Sequence, residues 1–469
     1  RYYTQWNGAP ASVFAPFSPD ATDDVTARSR FAAWEHEAGE DAVYIAFHSN
    51  APNPGQGTST YSYGGGPPPG PLGDFAGVAG SRQLQDRVHE EIIGDLRAGW
   101  NPDWVDEGRF TAYFGEINPS HNDEMPGILV EVAYHDTPSD AEQLRDPRFR
   151  RTVARAMAQG IARYFAERDG VPLVLPPEPP AAVWVRNDGA GNLEVAWRVP
   201  DPAPGEGDAA DEWVVQVSRN GYGFDDGTVV TGTSHTLEGL QPGDVRFVRV
   251  LGSNAGGRSL PSPTVGARVA ASGDASVLVV GGFDRIDGAL LLPDDLSAFD
   301  LATVQRMWLR RINDGSYAAR HGHAIAAAGF SFDGATDDAI ESGDVALLPY
   351  QAVDWFCGED STGDLPLSPL HRDAIAEHLD GGGRLLVSGA ELGWALDEYG
   401  AADERTFFRE RLHAHYVLDD AETYDVSAVD GPLGALGFGE HGLRGWQQID
   451  TGDAVTEEGG EAEKGSFGG

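Results

Sequence analysis

The chain has 469 residues, too many for one hydrophobic core, and its 41% apolar content supports globular folding in roughly three domains. Its formal net charge is −41, and Lys464 is the lone lysine among 33 basic residues. So acidic a surface argues against nucleic acid as a partner. It matches adaptation to concentrated salt, where hydrated cations screen the carboxylates; a GC-rich genome accounts for the arginine bias but not for the Asp and Glu. No run approaches about 18 apolar residues, so no membrane span is expected. The chain opens on Arg1-Tyr2-Tyr3 with neither Met nor signal peptide, as a mature or truncated piece would. The single cysteine, Cys357, excludes an intramolecular disulfide and a cysteine-based zinc cluster.

From Arg1 to about Val174 the pattern is layered α/β. Ser29 to Glu35 reads as a short helix leading into a buried strand, Val43 to Phe47, that ends at His48. Tyr61 to Pro71 reads as a Gly/Pro-rich loop. Leu84, Val88, Ile92 and Leu96 recur at helical spacing within Ser81 to Leu96. A short strand ending near Phe114 and another running Ile128-Leu129-Val130 into Glu131 follow. Asp146-Pro147 opens a closing helix, with Phe149, Val153, Met157, Ile161 and Tyr164 on one stripe.

The extended linker Leu173 to Pro180 marks a boundary. Residues 181–270 then alternate as short strands, with Leu193, Val195 and Trp197 in one and Trp213, Val215 and Val217 in another. This predicts a small β-sandwich. Leu240-Gln241-Pro242-Gly243 and Val250 to Ser262 resemble the last hairpin of a fibronectin type III module, with Arg246 where that family usually carries a tyrosine.

From Ser276 the α/β pattern returns, predicting an open parallel-sheet α/β domain over 275–415. The expected strands are Val277 to Gly281, Asp344 to Pro349 and Arg384 to Ser388, with a helix from Ser368 to Leu379. The pattern resembles flavodoxin and the amidotransferase-like domain attached to some secreted polysaccharide-active proteins, here read as a spacer or binding domain. Cys357 reads as a buried structural thiol, and His321 and His323 as a polar helix face. Residues 416–469 read as a weakly structured acidic segment, disordered from 451 onward.

Two strand ends carry the candidate chemistry. A rigid strand holds a terminal side chain where loops can build a cleft, so His48 and Glu131 form a possible zinc ligand and acid/base pair. They are 83 positions apart, so only folding can bring them together, and each has a plain structural reading as well.

Three stretches together resemble the zinc-dependent N-acetylmuramoyl-L-alanine amidases. Asp41 to Ala51 is similar to that family's strand ending in His-x-Asn-Ala; Met125 to Glu131 is similar to its Pro-x-x-Leu-Val-Glu strand; Asp140 to Phe165 is similar to its closing helix. The resemblance implies a secreted or cell-envelope hydrolase of peptidoglycan, with His48 as a zinc ligand, Glu131 as the catalytic carboxylate, and Asn50 and His135 as possible substrate contacts. The family's first zinc donors, a His and a Glu, are expected upstream of this region. The domain within 1–174 therefore reads as incomplete at its N-terminus, holding zinc weakly and hydrolysing little wall. Two other functions remain open: a non-catalytic wall- or glycan-binding protein on an amidase-like scaffold, and a zinc carboxypeptidase.

Overall fold

The computed structural model describes residues 1–17, 19–52, 55–64, 70–71, 74–201, 206–271, 273–286, 292–299, 302–306, 313–418, 426–427, 437–438 and 454–457. They divide into two compact units, Arg1–Val174 and Leu175–Gly469.

The first unit begins with α1 (Tyr2–Trp6), α2 (Ala11–Phe14) and α3 (Asp20–Glu35). It continues with β1 (Tyr44–Asn50), β2 (Thr58–Tyr63), β3 (Gly70–Pro71), α4 (Ser81–Gly99) and β4 (Asp106–Ala112). After a 3-10 turn at Gly115–Ile117 come β5 (Gly127–Tyr134), α5 (Pro138–Arg145) and α6 (Pro147–Asp169). The strands form one mixed sheet in the order β1-β5-β2-β4-β3. Pairs β1/β5 and β2/β4 are parallel, whereas β5/β2 is antiparallel.

The two faces of this sheet are unequal. Alternation along β5 sends Ile128, Val130 and Val132 into a core with Leu84, Val88, Ile92 and Leu96 of α4 and Phe149 and Val153 of α6. Each such side chain contributes about 1.5–3 kcal/mol when fully buried. Helices α4 and α6 touch at Gly160, where a Cβ would lie 2.6 Å from the Val88 Cα, so only glycine permits this approach. The other face carries a thin cluster of Ala46, Tyr63, Ile117 and Leu129. His48 and Glu131 share the alternation of Ala46 and Leu129, and so stand on this thinner face.

Strand β2 corrects the loop expected from Tyr61 to Pro71. Thr58, Ser59, Thr60 and Ser62 are fully buried although polar. Hydrogen bonds offset part of that cost: the Thr58 hydroxyl donates to the Val132 carbonyl at 2.7 Å and accepts from Trp104 Nε1 at 2.9 Å, and Gln85 Nε2 donates to the Thr60 carbonyl at 2.7 Å. Gly70–Pro71 also pairs with β4, while residues 65–69 of the expected loop lie outside the described residues. The short helix expected from Ser29 begins earlier, at Asp20, where Asp20 and Asp23 provide an acidic first turn.

The second unit opens with β6 (Ala181–Asn187), β7 (Leu193–Arg198), β8 (Glu212–Ser218), β9 (Thr228–Val230) and β10 (Ser234–Leu237). Next are β11 (Val245–Asn254), β12 (Gly257–Arg258) and β13 (Val265–Arg268). One layer runs β6-β7-β10 and the other β9-β8-β11-β13, around Val185, Val195, Trp197, Trp213, Val215 and Val250. Then β14 (Val277–Gly281), the hairpin of β15 (Leu292–Asp295) and β16 (Thr303–Arg306), α7 (Ala318–Ala327), β17 (Phe332–Thr336) and α8 (Asp337–Glu341) follow. The parallel sheet is completed by β18 (Ala352–Gly358), α9 (Pro369–Asp380) and β19 (Arg384–Gly389), in the order β17-β14-β18-β19.

The strand expected at Asp344–Pro349 is instead a turn, and the strand follows it at Ala352–Gly358. Of Leu347 and Leu348, only Leu347 is buried, so that apolar run lacks a two-sided core. Cys357 is fully buried, and its thiol donates to the Pro366 carbonyl at 3.4 Å; burial pushes its pKa up. His321 pairs with Asp354 at 2.9 Å and stacks on Phe356, while His323 packs beside Phe247.

Edge strand β17 also runs antiparallel to β6 and meets β13, so one ladder joins the sandwich to the parallel sheet. Gly334 makes this possible: a Cβ there would lie 2.4 Å from the Gly266 carbonyl oxygen. Beside it, buried Asp333 accepts from the Asn187 backbone N–H at 2.8 Å and from Asn187 Nδ2 at 2.7 Å, and Tyr350 donates to its other oxygen at 3.0 Å. Beyond Leu418 the described residues are three short strands, including Ala454–Glu457 within the tract expected to be disordered; the rest of that tract lies outside the described residues.

Candidate active site

Strand register builds the site. His48 of β1 and Glu131 of β5 are direct ladder partners, and parallel neighbours in register project to the same face. The two residues singled out from sequence are therefore brought together on the thin face. On the far side of β5, Ser59 is paired with Glu131.

Glu131 is half-buried, and its Oε2 is buried without a hydrogen-bond partner. Burial raises its pKa above the ordinary carboxylate range. The His48 imidazole opposes that shift, the Glu116 carboxylate adds to it, and His135 opposes it again. An orphaned carboxylate oxygen is costly to maintain and demands an explanation.

His48 Nε2 contacts the Glu116 carboxylate, whose other oxygen contacts the Arg28 guanidinium. Glu116 is 4% exposed and sits on the 3-10 turn that covers this face, anchored there by buried Ile117. Arg28 reaches it from α3 and also holds Asp24 at 3.2 Å. Sequence reasoning missed Glu116, which follows no strand and belongs to no recognisable spacing. Its signal was slight: an acidic residue, Glu116, flanked by Phe114 and Ile117.

Asn50 and His135 lie beside the pair but turn partly away. Asn50 Oδ1 accepts from the Ala51 N–H at 2.8 Å, and the Asn50 carbonyl accepts from the His135 backbone N–H at 3.1 Å. The His135 ring meets Ser49 Oγ at 3.1 Å. Asp140, buried at the start of the closing segment, braces this corner by accepting from the backbone of Gly57 at 2.8 Å and of Tyr134 at 3.0 Å.

A catalytic zinc takes three protein ligands and keeps one position open. Among the described residues no group of three or more His, Cys, Asp or Glu could hold a metal. An imidazole is a suitable zinc donor, but the Nε2 of His48 is taken by Glu116, so the donors present do not by themselves make a zinc site. No helix among the described residues is long and apolar enough to cross a membrane.

Residues 16–163 match the family described as N-acetylmuramoyl-L-alanine amidase. The chain is 30% identical over 155 residues to the N-acetylmuramoyl-L-alanine amidase CwlM of Bacillus licheniformis, covering 33% of this chain and 51% of that protein. It is 33% identical over 81 residues to the sporulation-specific N-acetylmuramoyl-L-alanine amidase of Bacillus subtilis (strain 168), covering 17% of this chain and 28% of that one. The chain thus spans about half the length, or less, of these curated relatives. Among solved structures, an N-acetylmuramoyl-L-alanine amidase from Clostridium difficile 630 aligns at 20% identity and TM-score 0.24, covering 31% of this chain and 66% of that one. The sixth fibronectin type III domain of human fibronectin type III domain containing protein 3 aligns at 21% identity and TM-score 0.19, covering 20% and 88%. Over residues 16–163 the chain is thus similar to the N-acetylmuramoyl-L-alanine amidase family.

Proposed function

We propose that this domain hydrolyses the amide joining the lactyl carboxyl of N-acetylmuramic acid to L-alanine in peptidoglycan, with Glu131 moving the proton. The carrying observation is the ladder pairing of His48 with Glu131 on the thin face, within the stretch that matches the amidase family. The unpartnered Glu131 oxygen takes a proton from an attacking water as the new C–O bond forms. The same carboxyl then delivers that proton to the alanine nitrogen as the C–N bond breaks. The products are a sugar strand with a free lactyl carboxylate and a peptide beginning with L-alanine. Asn50 and His135 flank the pair and are assigned to substrate contact.

His48 is assigned as one zinc donor, its imidazole being held on strand β1. Zinc in such an enzyme polarises the carbonyl and acidifies water. It requires donors beyond those the described residues assemble, so the steps above are written for Glu131 alone. The protein is assigned to the cell envelope or its exterior, with 181–270 as a fibronectin type III-like module and 275–415 as an amidotransferase-like spacer. The sandwich layers β6-β7-β10 and β9-β8-β11-β13 and the parallel order β17-β14-β18-β19 support those two assignments.

One observation favours a second reading, wall binding without cleavage: Glu116 already occupies the ring nitrogen of His48. Digesting purified peptidoglycan with the protein in the presence of zinc separates the two. New L-alanine amino termini support hydrolysis; sedimentation with the wall and no new amino termini supports binding alone. Release of a C-terminal amino acid instead would indicate a carboxypeptidase.

A further inference from the structure

The parallel sheet of the second unit carries a cavity that the proposed chemistry does not use. Strand β14 comes first in the chain, with β17 on one side of it and β18 and β19 on the other, so the strand order reverses at β14. In open α/β sheets ligands bind in the crevice outside the carboxyl ends of the strands at such a point. Gly281, Thr336 and Phe356 form one rung across these carboxyl ends, and all three line a cavity of about 120 Å3. A single water needs only about 10–15 Å3. Phe283 and Tyr317, packed edge to face at 5.4 Å, also line it, as does Asp337.

Two other polar side chains of the lining are committed to the fold. Asp338 accepts from the Ala182 N–H at 2.6 Å and from the Thr336 hydroxyl, while Asn313 donates to the Phe283 carbonyl and accepts from the Gly315 N–H at 3.0 Å. Asp337 differs. Its Oδ1 accepts from the Asp338 N–H at 3.0 Å, but its Oδ2 has no hydrogen bond among the described residues, the nearest ring nitrogen being His371 Nε2 at 3.8 Å. Close by is Trp355, fully buried, whose indole N–H has no partner. A Cβ at Gly282 would lie 2.8 Å from Trp355 Nε1 and 3.5 Å from Asp337 Oδ2, so only glycine there leaves the two atoms uncovered. A buried indole N–H normally finds an acceptor, and this one calls for an explanation.

The lining selects the ligand class. Asp284, Asp337 and Asp338 line the cavity and no described lysine or arginine does, which disfavours a phosphate or carboxylate. Among the described residues no group of three or more His, Cys, Asp or Glu could hold a metal. A hydroxyl accepts from an indole N–H and donates to a carboxyl oxygen at once, whereas an ammonium group only donates. Aromatic walls with a few placed polar groups suit an uncharged ring. We propose that this cavity binds a neutral sugar, one hydroxyl bridging Trp355 Nε1 and Asp337 Oδ2 while the ring packs against Phe283, Tyr317 and Phe356. The site is independent of the hydrolase reading and gives residues 275–415 a ligand, which a spacer does not need.

The test is 1H–15N correlation on the full chain with 15N-labelled tryptophan, the Trp355 indole signal being assigned by its loss in Trp355→Phe. N-acetylglucosamine and soluble glycan strands from digested peptidoglycan are titrated separately, the sugar up to about 50 mM, well above a millimolar Kd. The expected result is a saturable downfield shift of the Trp355 indole proton. Tighter binding of the strands marks a polymer as the source, and tighter binding of the monosaccharide marks a free sugar; both support the site. Asp337→Ala should weaken binding about fivefold or more, the loss of one hydrogen bond. Tyr317→Leu removes a ring from the wall and should also weaken it, covering the case in which the alanine variant fails to fold. No shift with either probe, binding that leaves Trp355 unmoved, or equal binding by either folded variant overturns the proposal, as does a response to 1,5-diaminopentane alone. Wall hydrolysis does not enter the readout, so this site and the hydrolase reading fail separately.

Discussion

Glu131 faces His48 across one rung of a parallel ladder, and the Glu131 Oε2 is buried with no hydrogen-bond partner. Folding has left a proton acceptor unsatisfied beside an imidazole. If that oxygen serves as the base, Glu131→Gln should reduce wall hydrolysis by about 10²–10⁴-fold. Removing an unpaired charge should not reduce stability, so the melting temperature should hold or rise. Amide turnover and thermal unfolding of the same sample check both.

The joint between the sandwich and the parallel sheet depends on one buried carboxylate. Asp333 accepts two hydrogen bonds from Asn187, and Asn187 Oδ1 accepts from the Ala270 N–H at 2.8 Å. Asn187→Ala removes the side-chain bonds and leaves Asp333 under-satisfied. The expected loss is about 2–3 kcal/mol, read as an earlier guanidinium midpoint by tryptophan fluorescence. No shift in that midpoint would mean that the ladder alone holds the joint.

Carboxylates also crowd the C-terminal ends of β14, β17 and β18. Asp360 is pushed up from 3.8 to about 7, mainly by burial and despite hydrogen bonds from the backbone of Asp284 and Arg285. Asp337 and Asp284 are raised as well, by burial first and then by neighbouring carboxylates. The folded state therefore holds protons that the unfolded chain releases near pH 4. Stability contributed by these groups is complete below that pH and is lost as pH rises through about 6 to about 8. Calorimetry should show this unit melting higher at about pH 5 than at about pH 8. Asp337→Asn should raise the melting temperature at the higher pH by roughly 2–4 °C for each kcal/mol of repulsion removed.

A net charge of −41 implies self-repulsion that salt screens. The Debye length falls from about 10 Å at 0.1 M to about 3 Å at 1 M. The melting temperature should therefore rise with NaCl across that range. An equal osmolarity of sucrose, which does not screen, should give a smaller rise. Equal effects would remove the case for salt adaptation.

The pairing of His48 with Glu131 was legible in the sequence because both lie on apolar strands, although β1 runs on to Asn50 and β5 to Tyr134, past the strand ends expected at these two residues. Sequence reasoning failed at β2, where polar Thr58, Ser59, Thr60 and Ser62 are buried on both faces. A hydrophobic pattern cannot reveal such a strand, in which the Thr58 and Thr60 hydroxyls are partnered by Val132, Trp104 and His89. Glu116 was invisible for a related reason: its role depends on Arg28, 88 positions away, and on a turn without periodicity. The strand expected at Asp344–Pro349 was misplaced because apolar content alone does not show that a second face will be covered. Only packing decided between that run and the following Ala352–Gly358.

The most direct test is to incubate purified peptidoglycan with the protein and zinc, then count newly exposed L-alanine amino groups, using the parent chain and Glu131→Gln in parallel. Slow release by the parent, falling by about 10²-fold or more in the variant, is the predicted result. No release from the parent, or equal release from both, would contradict the assignment of Glu131 as the proton-moving group of an amidase.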